Sequence, residues 1–91
     1  MDNKTAGEIM AALSKRPRII IFRLLVGSPS GIALRELPEI LGVRKNNVWV
    51  HLKPLSEVGL VRFQDREGDA ICHADIERYR DATQHISGQR W

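Results

Sequence analysis

Arg44, Lys45, Asn46 and Asn47 stand in a row, and Trp49, Val50 and Lys53 follow within two helical turns. At 100° per residue, Asn46, Val50 and Lys53 fall opposite Val48, with Asn47 and Trp49 flanking them. These side chains suit the reading of nucleic acid. A carboxamide pairs bidentately with an adenine edge, guanidinium and ammonium groups bind guanine, and valine fits a thymine methyl. Free amides at a helix start favour phosphate. Lys45, Asn46, Asn47, Trp49 and Val50 are therefore candidate base readers of double-stranded DNA. Arg44 and Lys53 beside them, and Arg35, Arg62 and Arg66 elsewhere, are candidate backbone contacts. Asn and Lys are also common at ordinary polar helix starts, so the surrounding elements must decide.

Those elements occupy residues 34–61, LRELPEILGVRKNNVWVHLKPLSEVGLV. Leu34, Leu37 and Leu41 repeat at helical spacing, with Ile40 beside them. Gly42 follows, where a helix end favours a residue tolerant of positive φ. Val48, Leu52, Leu55 and Val58 set a second helix over residues 45–58, which Gly59 closes. Helix, glycine turn, helix, glycine, strand is the layout of a helix-turn-helix running into a wing. An interior Pro38 would cost ~3 kcal/mol, so the first of these helices is expected to begin late, with Pro38 in its first turn. Pro54 frees the Val50 carbonyl and is expected to bend the second.

The run VWVHLKPLSEVGLV at residues 48–61 resembles the recognition helix of ArsR-type (arsenic-repressor-type) winged-helix transcription regulators, whose pattern is V-x-x-H-L-K-x-L-x-x-x-G-L-V. Val48, His51, Leu52, Lys53, Leu55, Gly59, Leu60 and Val61 fall on it. Arg18, Ile21, Arg23, Leu24 and Leu25 resemble the family's R-L-x-I-L-x-L-L helix. MarR-type regulators share the L-x-x-x-G-L ending. The resemblance spans about residues 16–75. It implies a homodimeric, sequence-specific regulator, a repressor on a pseudo-palindromic operator. Trp49 and Val50 depart from it, standing where the family usually has Ser, Thr or His; Trp49 is free to pack on the wing or the second helix, or to meet phosphate through its indole N–H. Ile20 also departs, at a commonly basic position. The paired metal-binding cysteines of many members are missing from residues 34–37.

The expected fold is mainly α with a small antiparallel β-hairpin, a winged helix in the order α-α-(β)-α-α-β-β-α, forming one DNA-binding domain over residues 1–91. Thr5 to Glu8 fits a capping box for a helix over residues 6–13, whose apolar side is Ile9, Met10 and Leu13. Pro17 suits the first turn of a greasy second helix reaching residue 26. Its apolar residues leave Ile20 on a second face, which suggests a partner subunit. Gly27 to Gly31 is a turn, and Ile32-Ala33 a short strand against the wing. The wing occupies residues 60–74, with strands at 60–64 and 69–73, a turn at 65–68 and Arg66 at its tip. Glu67 and Asp69 weaken the positive field there, so a wing that only braces the fold is an alternative. Asp75 caps a last helix to residue 86, with Ile76, Tyr79, Thr83 and Ile86 on one side and Arg78, Arg80 and Asp81 solvated. In the resembling family the first and last helices build the dimer; the first helix, too short to stand alone in water, otherwise caps the chain's own core. Ile9, Leu13, Ile20, Ile76, Tyr79 and Ile86 are thus the candidate dimer interface. Residues 87–91 read as a loose tail, unless Trp91 docks on a partner.

The 91 residues carry 14 Lys and Arg against 11 Asp and Glu, a net charge of +3, which permits a polyanionic partner without requiring one. One cysteine, Cys72, excludes a disulfide within the chain and suits the cytoplasm. No apolar run approaches a membrane span. Cys72 and His73 are strand neighbours pointing to opposite faces, which argues against a catalytic dyad. No phosphate loop or paired carboxylate appears, so no catalytic residue is expected. His73, Asp75, Glu77 and His85 match no metal-ligand spacing, so neither metal nor other cofactor is expected. A different class of function, a winged-helix adaptor or antagonist that binds protein, would use an exposed Trp49-Val50 face.

Overall fold

The computed structural model describes residues 1–88. Helices α1 (Asn3–Ala12) and α2 (Arg16–Val26) are followed by strand β1 (Ile32–Ala33) and a 3-10 turn (Leu34–Glu36). Helices α3 (Leu37–Leu41) and α4 (Lys45–Glu57), strands β2 (Val61–Arg66) and β3 (Asp69–Ala74), and helix α5 (Ile76–Ser87) complete the order. The three strands form one antiparallel sheet in the order β1-β3-β2. Ile32 lies opposite Cys72, and Val61 opposite Ala74. This is the expected winged helix-turn-helix.

Local chemistry explains most boundaries. Pro38 sits in the first turn of α3, because the chain takes the 3-10 turn before it and starts the α-helix late. Gly42, at φ +67°, ends α3, and the Val43 amide donates back to the Pro38 carbonyl at 3.0 Å. Pro17 lies in the first turn of α2. The Asp75 carboxylate caps α5 by accepting from the Arg78 amide at 3.0 Å. Helix α4 continues through Pro54.

The core gathers one face from each element. Ile9, Ile21, Leu25, Leu37, Val48, Leu52, Leu55, Leu60 and Cys72 are fully buried. Helix α1 packs along α5 and touches α4, while α2 lies against α4 and β3. Burial removes Cys72 from water and pushes its thiol from 9.0 up to about 11.

Four expectations need correction. The cap of α1 is Asp2, whose carboxylate accepts from the Thr5 amide at 2.7 Å, so the helix starts a turn earlier than the Thr5 box implies. The hairpin turn is two residues, Glu67 and Gly68, both at positive φ. Such a turn matches the strand twist, so pairing runs on to Arg66 opposite Asp69. Arg78 is not solvated: its Nε donates to the Val58 carbonyl at 2.7 Å, over Gly59. A Cβ at Gly59, where φ is +80°, would stand 2.6 Å from that Nε. Finally, Ser87 is still helical rather than part of a tail. Trp91 lies outside the described residues.

Candidate nucleic-acid interface

Helix α4 buries Val48, Leu52 and Leu55 against the core and turns its opposite side outward. Arg44, Lys45, Asn46, Asn47, Trp49, Val50 and Lys53 are all exposed. Arg44 is the N-cap residue and makes no side-chain cap bond; the Asn47 amide donates to the Arg44 carbonyl at 3.0 Å, which leaves the Lys45 and Asn46 amides open to a ligand. Asn46 and Val50, one turn apart, form the centre of the outward ridge. The structure thus brings these seven residues to one surface.

Trp49 does not stand alone. Its ring tilts against Phe63 of β2, with centroids 6.0 Å apart and planes at 41°. The pair ties α4 to the wing across an aromatic contact of ordinary geometry. Sequence reasoning did not single out Phe63; the signal available was an aromatic at an exposed strand position. Beside this contact lies a cleft of about 490 Å³ between α4, the 3-10 turn and the wing, with Leu34, Pro38, Trp49 and Ala70 in its lining.

The remaining candidate arginines are occupied within the chain. Arg35 Nε donates to Asp69 Oδ1 at 3.0 Å, closing one side of that cleft. This hydrogen bond, with the charge of Asp69 behind it, raises the guanidinium pKa further above its usual value. Arg62 lies 3.5 Å from Asp75. Arg66 closes the hairpin beside the Glu67-Gly68 turn, but its side chain folds back: Nη2 donates to the Ser30 carbonyl and to Gln64 Oε1, both at 3.2 Å. Lys53 approaches Glu57 at 4.0 Å. Arg44 and Lys45 carry no ion pair among the described residues.

The candidate dimer residues separate into three places. Ile9 and Leu13 lie inside the chain's own core, because α1 spends its apolar side on α5 and α4; they cannot present a surface. Ile20 is exposed but lines an apolar groove with Pro17, Leu41, Val43 and His51, between α2 and the helix-turn-helix. Ile76 and Tyr79 are exposed on α5, and Ile86 is half-buried there. Tyr79 also meets Phe22 of α2 with ring centroids 5.5 Å apart.

Other polar groups have structural partners. His73 bonds Gln64 Oε1 at 2.8 Å, and His85 bonds Asn3 Oδ1 at 2.6 Å. Among the described residues no group of three His, Cys, Asp or Glu side chains could hold a metal ion. No helix among them is long and apolar enough to cross a membrane.

No protein-family profile and no curated protein sequence matches the chain. Solved structures do. An ArsR-like transcriptional regulator from Rhodococcus sp. RHA1 superposes with a TM-score of 0.82 at 20% identity, covering 92% of this chain and 77% of that one. HlyU from Vibrio cholerae gives a TM-score of 0.73 at 18% identity, over 96% of both chains. A MarR-family transcriptional regulator from Rhodococcus sp. RHA1 gives 0.64 at 17% identity, over 92% of this chain and 67% of that one. The chain has the winged helix-turn-helix fold of solved ArsR-type transcriptional regulators.

Proposed function

We propose that the chain is a cytoplasmic, homodimeric transcription regulator, one winged-helix DNA-binding domain that represses from a pseudo-palindromic operator. It acts by binding and catalyses no reaction. The observation that carries this reading is the outward side of α4: an amide-rich, basic helix start whose Arg44 and Lys45 have no ion pair among the described residues, set in a helix-turn-helix. Lys45, Asn46 and Asn47 read base edges in the major groove, with Trp49 and Val50 beside them. Arg44 and Lys53 hold the flanking phosphates, and Arg35, Arg62 and Arg66 are secondary phosphate contacts. A dimer through Ile76, Tyr79 and Ile86 of α5 places two copies of α4 in successive grooves.

The test is selection of random duplex DNA by the purified protein. An inverted repeat, with half-sites about one helical turn apart, is the expected outcome. Folded protein that enriches no sequence contradicts the reading. A protein-binding role is the second reading, favoured by the exposure of Trp49 (47%) and Val50 (63%). Salt separates the two: DNA affinity falls by ~0.9 log units per log of salt for each phosphate neutralised, whereas an apolar contact barely responds.

A further inference from the structure

The outward ridge of α4 carries a side chain that the fold does not use. Val50 is 63% exposed, the most exposed large apolar residue among those described. Its neighbour Trp49 is accounted for by the contact with Phe63. Val50 lies a full turn from Asn46 on the same side, with Lys53 nearly one turn further on. Helix propensity does not explain a valine at this position, since straight-chain residues serve a solvated helix better.

Charge decides what covers it. Residues 44–53 contain Arg44, Lys45 and Lys53 and no carboxylate. Val50 is a poor anchor for a protein partner, whose anchors are large side chains seated in pockets, and the large side chain beside it, Trp49, is engaged with Phe63. The major groove of DNA fits better. Among base edges there, the 5-methyl of thymine is the apolar group, and it is reached by small apolar side chains. The four residues from Asn46 to Val50 advance about 6.0 Å, between one and two base steps of about 3.4 Å. Val50 is therefore placed to meet a base pair one or two steps from the one read by Asn46.

Resting on the DNA-binding reading above, we propose that Val50 packs on the 5-methyl group of a thymine one or two steps from the adenine that Asn46 pairs with. Each half-site then contains two such A·T pairs, one read by its hydrogen-bonding edge and the other by its methyl group.

The probe is the selected operator with each thymine replaced in turn by deoxyuridine, which removes only the methyl group. Affinity is measured by fluorescence anisotropy for the native chain and for Val50→Ala. Alanine at an exposed helix position favours the helix, so the variant keeps its fold. One thymine per half-site should cost the native chain about fourfold in affinity on replacement, the worth of one buried methyl. That cost should vanish in Val50→Ala, while adenine preference at the pair read by Asn46 persists. A selected operator bound equally well with uracil at every thymine overturns this proposal alone. A penalty undiminished in Val50→Ala does the same. Failure to select any sequence overturns both this proposal and the regulator reading.

Discussion

Helix α4 and the wing share one surface but differ in what they offer a polyanion. Residues 44–53 hold three cations and no carboxylate. Residues 61–75 hold Arg62 and Arg66 against Asp65, Glu67, Asp69 and Asp75. The geometry sharpens the contrast. Arg44 and Lys45 are unpaired among the described residues, whereas Arg62 faces Asp75, Arg66 bonds Ser30 and Gln64, and Arg35 reaches across to Asp69. An exposed ion pair is weak and can be exchanged for phosphate. The carboxylate nevertheless stays in place and repels the backbone. On the proposed function, the difference favours α4 for binding and the wing for bracing, with the Trp49–Phe63 contact joining the two.

The largest expected effect falls on base reading. Asn46→Ala with Asn47→Ala should cost about 1–3 kcal/mol of discrimination for each bidentate amide–base pairing removed, and should flatten preference among sequences. Titration of operator and scrambled duplex measures it. Unchanged selectivity would remove α4 from the comparison. Next comes the joint between the two regions. Gly59→Ala meets both a positive φ and the Arg78 side chain, so denaturant unfolding should show a destabilisation of about 1–3 kcal/mol. A neutral result would mean that Arg78 does not tie α5 to the end of α4.

Smaller effects probe the wing itself. Asp69→Asn frees Arg35 and removes a negative charge from the side proposed to face DNA. It should raise DNA affinity a few-fold at low salt, and the gain should fade as salt screens it. A fall in affinity would instead show that the pair positions the wing against DNA. Least affected is Cys72 on β3. Its buried thiol, raised to about 11, should resist alkylation in the folded chain near neutral pH and react after unfolding in urea. Because the folded state favours the neutral thiol, its contribution to stability is intact below pH 9.0 and is lost as pH rises through about 11.

Local signals made the helix-turn-helix readable. Pro38 could only be accommodated in a first turn, Gly42 marked the end of α3, and the spacing of Val48, Leu52 and Leu55 fixed which side of α4 faces out. What escaped depends on residues far apart in the chain. Arg78 reads as a solvated helix charge until Val58, twenty residues earlier, presents its carbonyl. Ile9 and Leu13 could serve a partner subunit or the chain's own core until α5 and α4 close over them. Arg62 and Arg35 look available until Asp75 and Asp69 meet them. The hairpin length escaped for a local reason: Glu67 takes a positive φ that few non-glycine residues adopt, which shortens the turn to two residues.

The most direct test of this division is the salt dependence of operator binding in two double variants, Arg44→Ala with Lys45→Ala and Arg62→Ala with Arg66→Ala. Each phosphate no longer neutralised lowers the slope by about 0.9. The helix pair should lower it by one to two such steps, and the wing pair by less than one. A wing pair that lowers the slope as much as the helix pair, or more, would contradict the assignment of binding to α4 and bracing to the wing.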